Sequence, residues 1–168
     1  MRMGFYVGMV VVGLIGMQFT SSKKEKVEAA FGTSDPVSHV ETGNAQILAA
    51  RQQAKASLPE FLSHLRDPQS GETLFTVKFQ LTDAGCPVEN IWAADLEPMS
   101  DGFKATISGA PQCGYHKEND PIVFSNAEVV DWGYMKDGVM QGNYTTKVLI
   151  EMMPEAQKTA IREALGWS

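Results

Sequence analysis

Residues 129–149 read VVDWGYMKDGVMQGNYTTKVL, and the organisation of the chain follows from how this stretch folds back on itself. Asp137-Gly138 lies between two runs rich in β-branched, aromatic and apolar residues, and an Asp-Gly pair supplies the positive φ angles that a tight hairpin turn demands. The spacing predicts antiparallel strands over 129–135 and 139–144, with Gly142 as a bulge or a point of close backbone approach. Beyond Tyr144 the period changes. Val148, Leu149, Met152, Met153, Ala156, Ala160, Ile161, Ala164 and Leu165 keep a helical spacing across Pro154. This predicts two C-terminal helices, with Thr145 as N-cap of the first and Pro154 in the first turn of the second.

Upstream of the hairpin the chain alternates turns with short strands. Ile122 to Phe124 gives a short strand, Asp101-Gly102 introduces another over 103–108, and a third runs over 88–95 with Ile91 and Trp92 as its bulky members. Over 74–81 the alternation is strict. Phe75, Val77, Phe79 and Leu81 face one way and Thr76, Lys78 and Gln80 the other, which describes a half-buried strand of an antiparallel sheet. Before it, Asn44 caps a helical segment that Pro59 interrupts. Ser57 with Glu60 has the spacing of a capping box, so the segment reads as two helices or one with a sharp kink. The strand connections are too short for crossover helices. The expected class is α+β: a meandering, mostly antiparallel sheet of five or six strands, packed by the kinked N-terminal helix and the C-terminal helices.

The first 43 residues read differently. Arg2 precedes an apolar run from Gly4 to Phe19 and then a polar, Lys-rich segment. Sixteen residues are short for a spanning helix of ~20 and closer to a signal-peptide core. Residues 1–22 are expected to be a signal peptide or an N-terminal membrane anchor, 23–43 a polar tether and 44–168 a single domain. On this reading the domain is exported, to the periplasm or cell envelope, and meets the membrane only through its N-terminal segment. Without the first 32 residues the chain holds ten Lys or Arg against eighteen Asp or Glu, a net charge of −8. Such a balance repels a phosphate backbone and disfavours nucleic-acid binding.

Two cysteines, Cys86 and Cys113, lie in turn-like contexts. In an oxidising compartment they are an even pair with one intramolecular connectivity; in the cytosol they are two free thiols. A zinc site is disfavoured, because two cysteines and His116 lack a fourth ligand at standard spacing.

The chain resembles the YegJ-like family of bacterial domains of unknown function. The matching residues are Ala50-Arg51 with Leu58-Pro59-Glu60-Phe61, then Phe75, Val77 and Lys78, then Glu89, Ile91 and Trp92, and Phe103, Ile107 and Pro111. Val130-Asp131-Trp132, Tyr134, Asp137-Gly138, Gly142 and Tyr144-Thr145 complete the set. Asn90 stands where His is expected, and Lys147 where Arg is common. The resemblance covers roughly residues 45–165 and implies a fold more than a chemistry.

For chemistry, an Asp beside an apolar aromatic can acquire the raised pKa that acid–base work needs. Asp131 and His116 are therefore the catalytic candidates, weighed against a plainer reading in which Asp131 binds backbone groups and Trp132 is core. Thr145 fits a cap better than a nucleophile. Arg51, Asp131, Trp132 and Tyr134 are the candidate binding residues, and Arg51, Lys55 and Lys78 a possible anion site. His39, His64 and His116 are scattered and read as solvated surface. No phosphate loop, nucleophile elbow, zinc motif or dinucleotide fingerprint occurs, so no cofactor is expected. The leading expectation is a noncatalytic, exported or membrane-tethered binding domain whose partner is another protein or a small ligand. One version is an immunity-type protein that binds a secreted toxin. The alternative is a cell-envelope, hydrolase-like enzyme with Asp131 as general acid or base.

Overall fold

Residues 44–167 are described by a computed structural model. The expected signal peptide or anchor, the tether and His39 lie outside these residues. Helix α1 (Ala45–Ala56) starts at Asn44, whose side-chain oxygen accepts from the amides of Gln46 and Ile47. Helix α2 (Leu58–Arg66) follows at once, with Pro59 in its first turn. The capping box expected at Ser57 does not form. The Ser57 hydroxyl instead donates back to the Gln53 carbonyl at 2.7 Å, closing the end of α1. A capping box does occur at Ser125 and Glu128, before a 3-10 turn over Asn126–Glu128.

Six antiparallel strands follow: β1 (Glu72–Leu81), β2 (Glu89–Met99), β3 (Gly102–Ile107), β4 (Pro121–Phe124), β5 (Val129–Lys136) and β6 (Val139–Gly142). Their order across the sheet is β4-β3-β2-β1-β5-β6. Strands β1 to β4 form a meander, after which the chain returns to the other edge of β1, so the hairpin β5–β6 lies at one side of the sheet. A flat sheet would separate β4 from β5 by four strand spacings, roughly 19 Å. The five Cα steps from Phe124 to Val129 reach at most about 18 Å when fully extended, and here they include the 3-10 turn. The sheet must therefore curl. The rings of Phe79 on β1 and Phe124 on β4 accordingly stack with centroids 4.1 Å apart.

Within the curl, Phe79, Phe103, Phe124, Trp132 and Tyr134 join Phe61 of α2 in the main apolar core. A second cluster links Ile47 of α1 with Met135 and Met140 of the hairpin and with the C-terminal helices α3 (Tyr144–Glu151) and α4 (Glu155–Leu165). The hairpin turn forms as the Asp-Gly pair requires, with φ of 49° at Asp137 and 83° at Gly138. Gly142 is a point of close approach. Its φ is +71°, and a Cβ there would lie 2.3 Å from the Trp132 carbonyl oxygen. Two helix starts differ from expectation. Asn143, in a left-handed conformation, occupies the N-cap position of α3, and Pro154 directly precedes α4. Asn143 takes that backbone shape because Gly142 turns the chain sharply against Trp132, and Thr145 is thereby carried into the first turn of α3.

Candidate functional site

Asp131 sits at the corner where β5 meets the start of α3. Its Oδ1 accepts from the amides of Trp132 at 2.9 Å and Tyr144 at 3.1 Å. Its Oδ2 accepts from the Thr145 amide at 2.7 Å and the Thr145 hydroxyl at 2.6 Å. A helix start leaves orphan amides that need acceptors, and here a carboxylate from a neighbouring strand supplies them. Asp131 is fully buried. Burial pushes its pKa up, opposed first by the Thr145 hydroxyl and amide and then by the charge of Lys78 and the Trp132 amide. Asp131 thus combines a raised pKa with complete burial. The plainer reading of Asp131, as a binder of backbone groups, is the one its geometry fits.

Lys78 of β1 stands opposite Asp131 of β5 and opposite Trp92 of β2, so the three form one row across the sheet. The Lys78 ammonium lies 6.0 Å from the centre of the Trp92 ring. Both Thr76 and Lys78 are buried, so β1 is enclosed on its polar side as well, contrary to the half-buried strand that alternation suggested. Alternation reports which residues share a face and not what covers that face. On α3, Lys147 lies 5.5 Å from the Tyr144 ring and 5.3 Å from the Trp167 ring. Burial lowers its pKa, partly offset by the Asp131 charge.

The candidate binding residues do not converge on a surface. Trp132 is buried, stacked on Phe61 with centroids 5.2 Å apart, and its indole Nε1 donates to the Ala54 carbonyl at 2.9 Å. Tyr134 is also buried, stacked on Phe75 and on His64 with centroids 5.1 Å away in both cases. Burial raises the Tyr134 pKa, as do the nearby charges of Glu72 and Glu60. Arg51 is half-buried on α1, one turn before Ala54. The expectation that the hairpin aromatics present a binding face is thus corrected, because the curled sheet needs their rings to fill its interior. The anion site fares similarly. Lys55 donates to the Ala127 carbonyl at 3.0 Å, and Lys78 is enclosed in its row.

His116 and His64 are not merely solvated. His116 Nδ1 lies 2.8 Å from Asp83 Oδ1, and Asp83 Oδ2 accepts from the Tyr115 amide at 3.1 Å. His64 Nδ1 lies 3.0 Å from Glu72 Oε1. Glu72 is buried and also accepts from the Gln69 amide at 3.0 Å and from Lys136 Nζ at 3.2 Å. Burial alone would raise the Glu72 pKa; the hydrogen bonds from Gln69, His64 and Lys136 outweigh it and hold the carboxyl below its ordinary range. Glu72 and Asp83 carried no local signal in the sequence, because Asp83 and His116 meet only through tertiary contact. Cys86 and Cys113 are joined by a disulfide with an S–S distance of 2.02 Å. It ties the loop after β1 to the loop after β3.

Among the described residues, no group of three or more His, Cys, Asp and Glu side chains could hold a metal ion, and no helix is long and apolar enough to cross a membrane. The family model for uncharacterized proteins conserved in bacteria, DUF2314, matches residues 44–168. The chain belongs to the DUF2314 family. The match begins at Asn44, the N-cap of α1, so the DUF2314 domain coincides with the fold described above. No curated protein and no solved structure matches the chain.

Proposed function

We propose that this DUF2314 domain is a noncatalytic binding domain, of YegJ-like type, exported or tethered to the membrane by its N-terminal segment. The observation that carries the reading is the use of Asp131. The carboxylate best suited by sequence to acid–base chemistry has both oxygens engaged by the start of α3 and lies wholly inside the protein. The competing hydrolase reading needs that carboxylate to reach a substrate. Export is supported by the Cys86–Cys113 disulfide, since such bonds persist in oxidising compartments. The acidic balance of the domain supports a basic partner, and an immunity-type protein that covers a secreted toxin is the specific version.

Fractionation of cells expressing the full chain, and the chain lacking residues 2–22, tests this reading. The full chain is expected in the periplasm or envelope and the truncated one in the cytosol. Identical localisation of the two would overturn the targeting part. Hydrolase turnover lost in Asp131→Asn at unchanged thermal stability would overturn the noncatalytic part.

A further inference from the structure

We infer that the disulfide-joined loops 82–88 and 108–120 are the partner-binding element of the domain, with Tyr115 as its anchor and a cationic protein surface containing an apolar pocket as its partner. The inference rests on the binding reading above and places its contact away from the hairpin.

Tyr115 is 73% exposed, the largest exposure among the big apolar side chains of the described residues. Its surroundings are nevertheless fixed. Asp83, almost wholly buried, accepts from the Tyr115 amide and pairs with the His116 ring, while the Tyr115 ring rests on that of His116 with centroids 4.2 Å apart. Gly114 lets the loop approach this closely: a Cβ there would lie 1.9 Å from Asp83 Oδ2. Two residues past Cys86, Val88 is 55% exposed, so the disulfide gathers a second apolar side chain at the same end of the sheet. An aromatic ring held out in water by a covalent cross-link and a buried carboxylate has surrendered its ordering entropy before any partner arrives. Such preorganised aromatics dominate binding energies at interfaces.

Charge narrows the partner. Residues 82–89 and 108–120 contain four Asp or Glu and one lysine, a net of −3. The described residues as a whole contain sixteen Asp or Glu and ten Lys or Arg, a net of −6. Half of the net negative charge is therefore gathered around Tyr115, which complements a basic rim and speeds encounter with it.

The test places the photoreactive residue p-benzoylphenylalanine at position 115 of the full chain in its own bacterial cells, with positions 123 and 152 as controls, since Val123 and Met152 are exposed elsewhere on the fold. The adduct formed at 115 is identified, purified and titrated against the wild-type chain and Tyr115→Ala. The expected result is a basic protein whose dissociation constant rises about 30-fold or more with Tyr115→Ala, at unchanged melting temperature, and rises with salt. Glu118→Lys should weaken it further through the on-rate. Adducts at 123 or 152 but not at 115 would overturn the inference and leave the binding reading intact. No adduct at any of the three positions would overturn both. A partner captured at 115 that is acidic, or that binds Tyr115→Ala as tightly as wild type, would also overturn the inference.

Discussion

Asp131 on β5 and Thr145 on α3 are joined twice through one carboxylate oxygen, which accepts from both the Thr145 amide at 2.7 Å and its hydroxyl at 2.6 Å. The other oxygen takes the Tyr144 amide, so the strand supplies the cap that the Asn143 side chain does not. This one residue joins the sheet to the C-terminal helices.

Asp131→Ala should therefore destabilise strongly. It leaves buried amides of Trp132, Tyr144 and Thr145 without their acceptor, and removing one partner of a buried charged interaction costs about 3–5 kcal/mol. Asp131→Asn keeps one acceptor oxygen and should lose less, about 1–3 kcal/mol. Urea denaturation of the two variants and wild type would check the ranking, and equal stability of all three would contradict the capping role.

Glu72 sets an acid limit on stability. Its carboxyl titrates lower in the folded protein than in the unfolded chain, held there by Gln69, His64 and Lys136 against the effect of burial. The stabilisation it confers is thus fully present above the unfolded-state pKa and is lost as pH falls through the folded-state value. Glu72→Gln should flatten the fall in melting temperature on the acid side while lowering stability at neutral pH. Parallel acid limbs for variant and wild type would show that Glu72 carries none of the dependence.

The Cys86–Cys113 disulfide spans 27 residues, for which the chain-entropy relation gives about 3–4 kcal/mol. Cys86→Ser with Cys113→Ser should lose this amount, and dithiothreitol should reduce wild-type stability to that of the double variant. Guanidinium melts with and without reductant measure both. A reductant-insensitive wild type would remove the cross-link as a source of stability.

Gly142→Ala should be strongly damaging for the change of a single methyl. The backbone is left-handed there, and the new carbon would overlap the Trp132 carbonyl and ring. Strain at such a φ costs about 1–3 kcal/mol before any clash is counted. Trp132→Phe, by contrast, leaves the Ala54 carbonyl without its indole donor and a modest void beside Phe61, a loss of about 1–3 kcal/mol. Melting temperatures of the two variants, with near-ultraviolet circular dichroism to confirm native packing of Trp132→Phe, would test the order.

By itself the sequence determined what depends on near neighbours. The Asp137-Gly138 turn, the strand periods, the Asn44 cap and the break at Pro59 all act over a few residues, and the chemistry of φ, hydrogen bonding and alternation suffices to read them. The class α+β followed from their order. Other features needed the tertiary structure. Periodicity shows that Trp132 and Tyr134 share a face but not that the sheet curls to enclose it; that follows from a connection too short to cross a flat sheet. Nor could it show that Asp131 caps a helix begun by another segment, or that Asp83 and His116 meet across 33 residues. A buried carboxylate takes whichever donors the folded chain brings to it, and their identity is fixed only when separate elements pack.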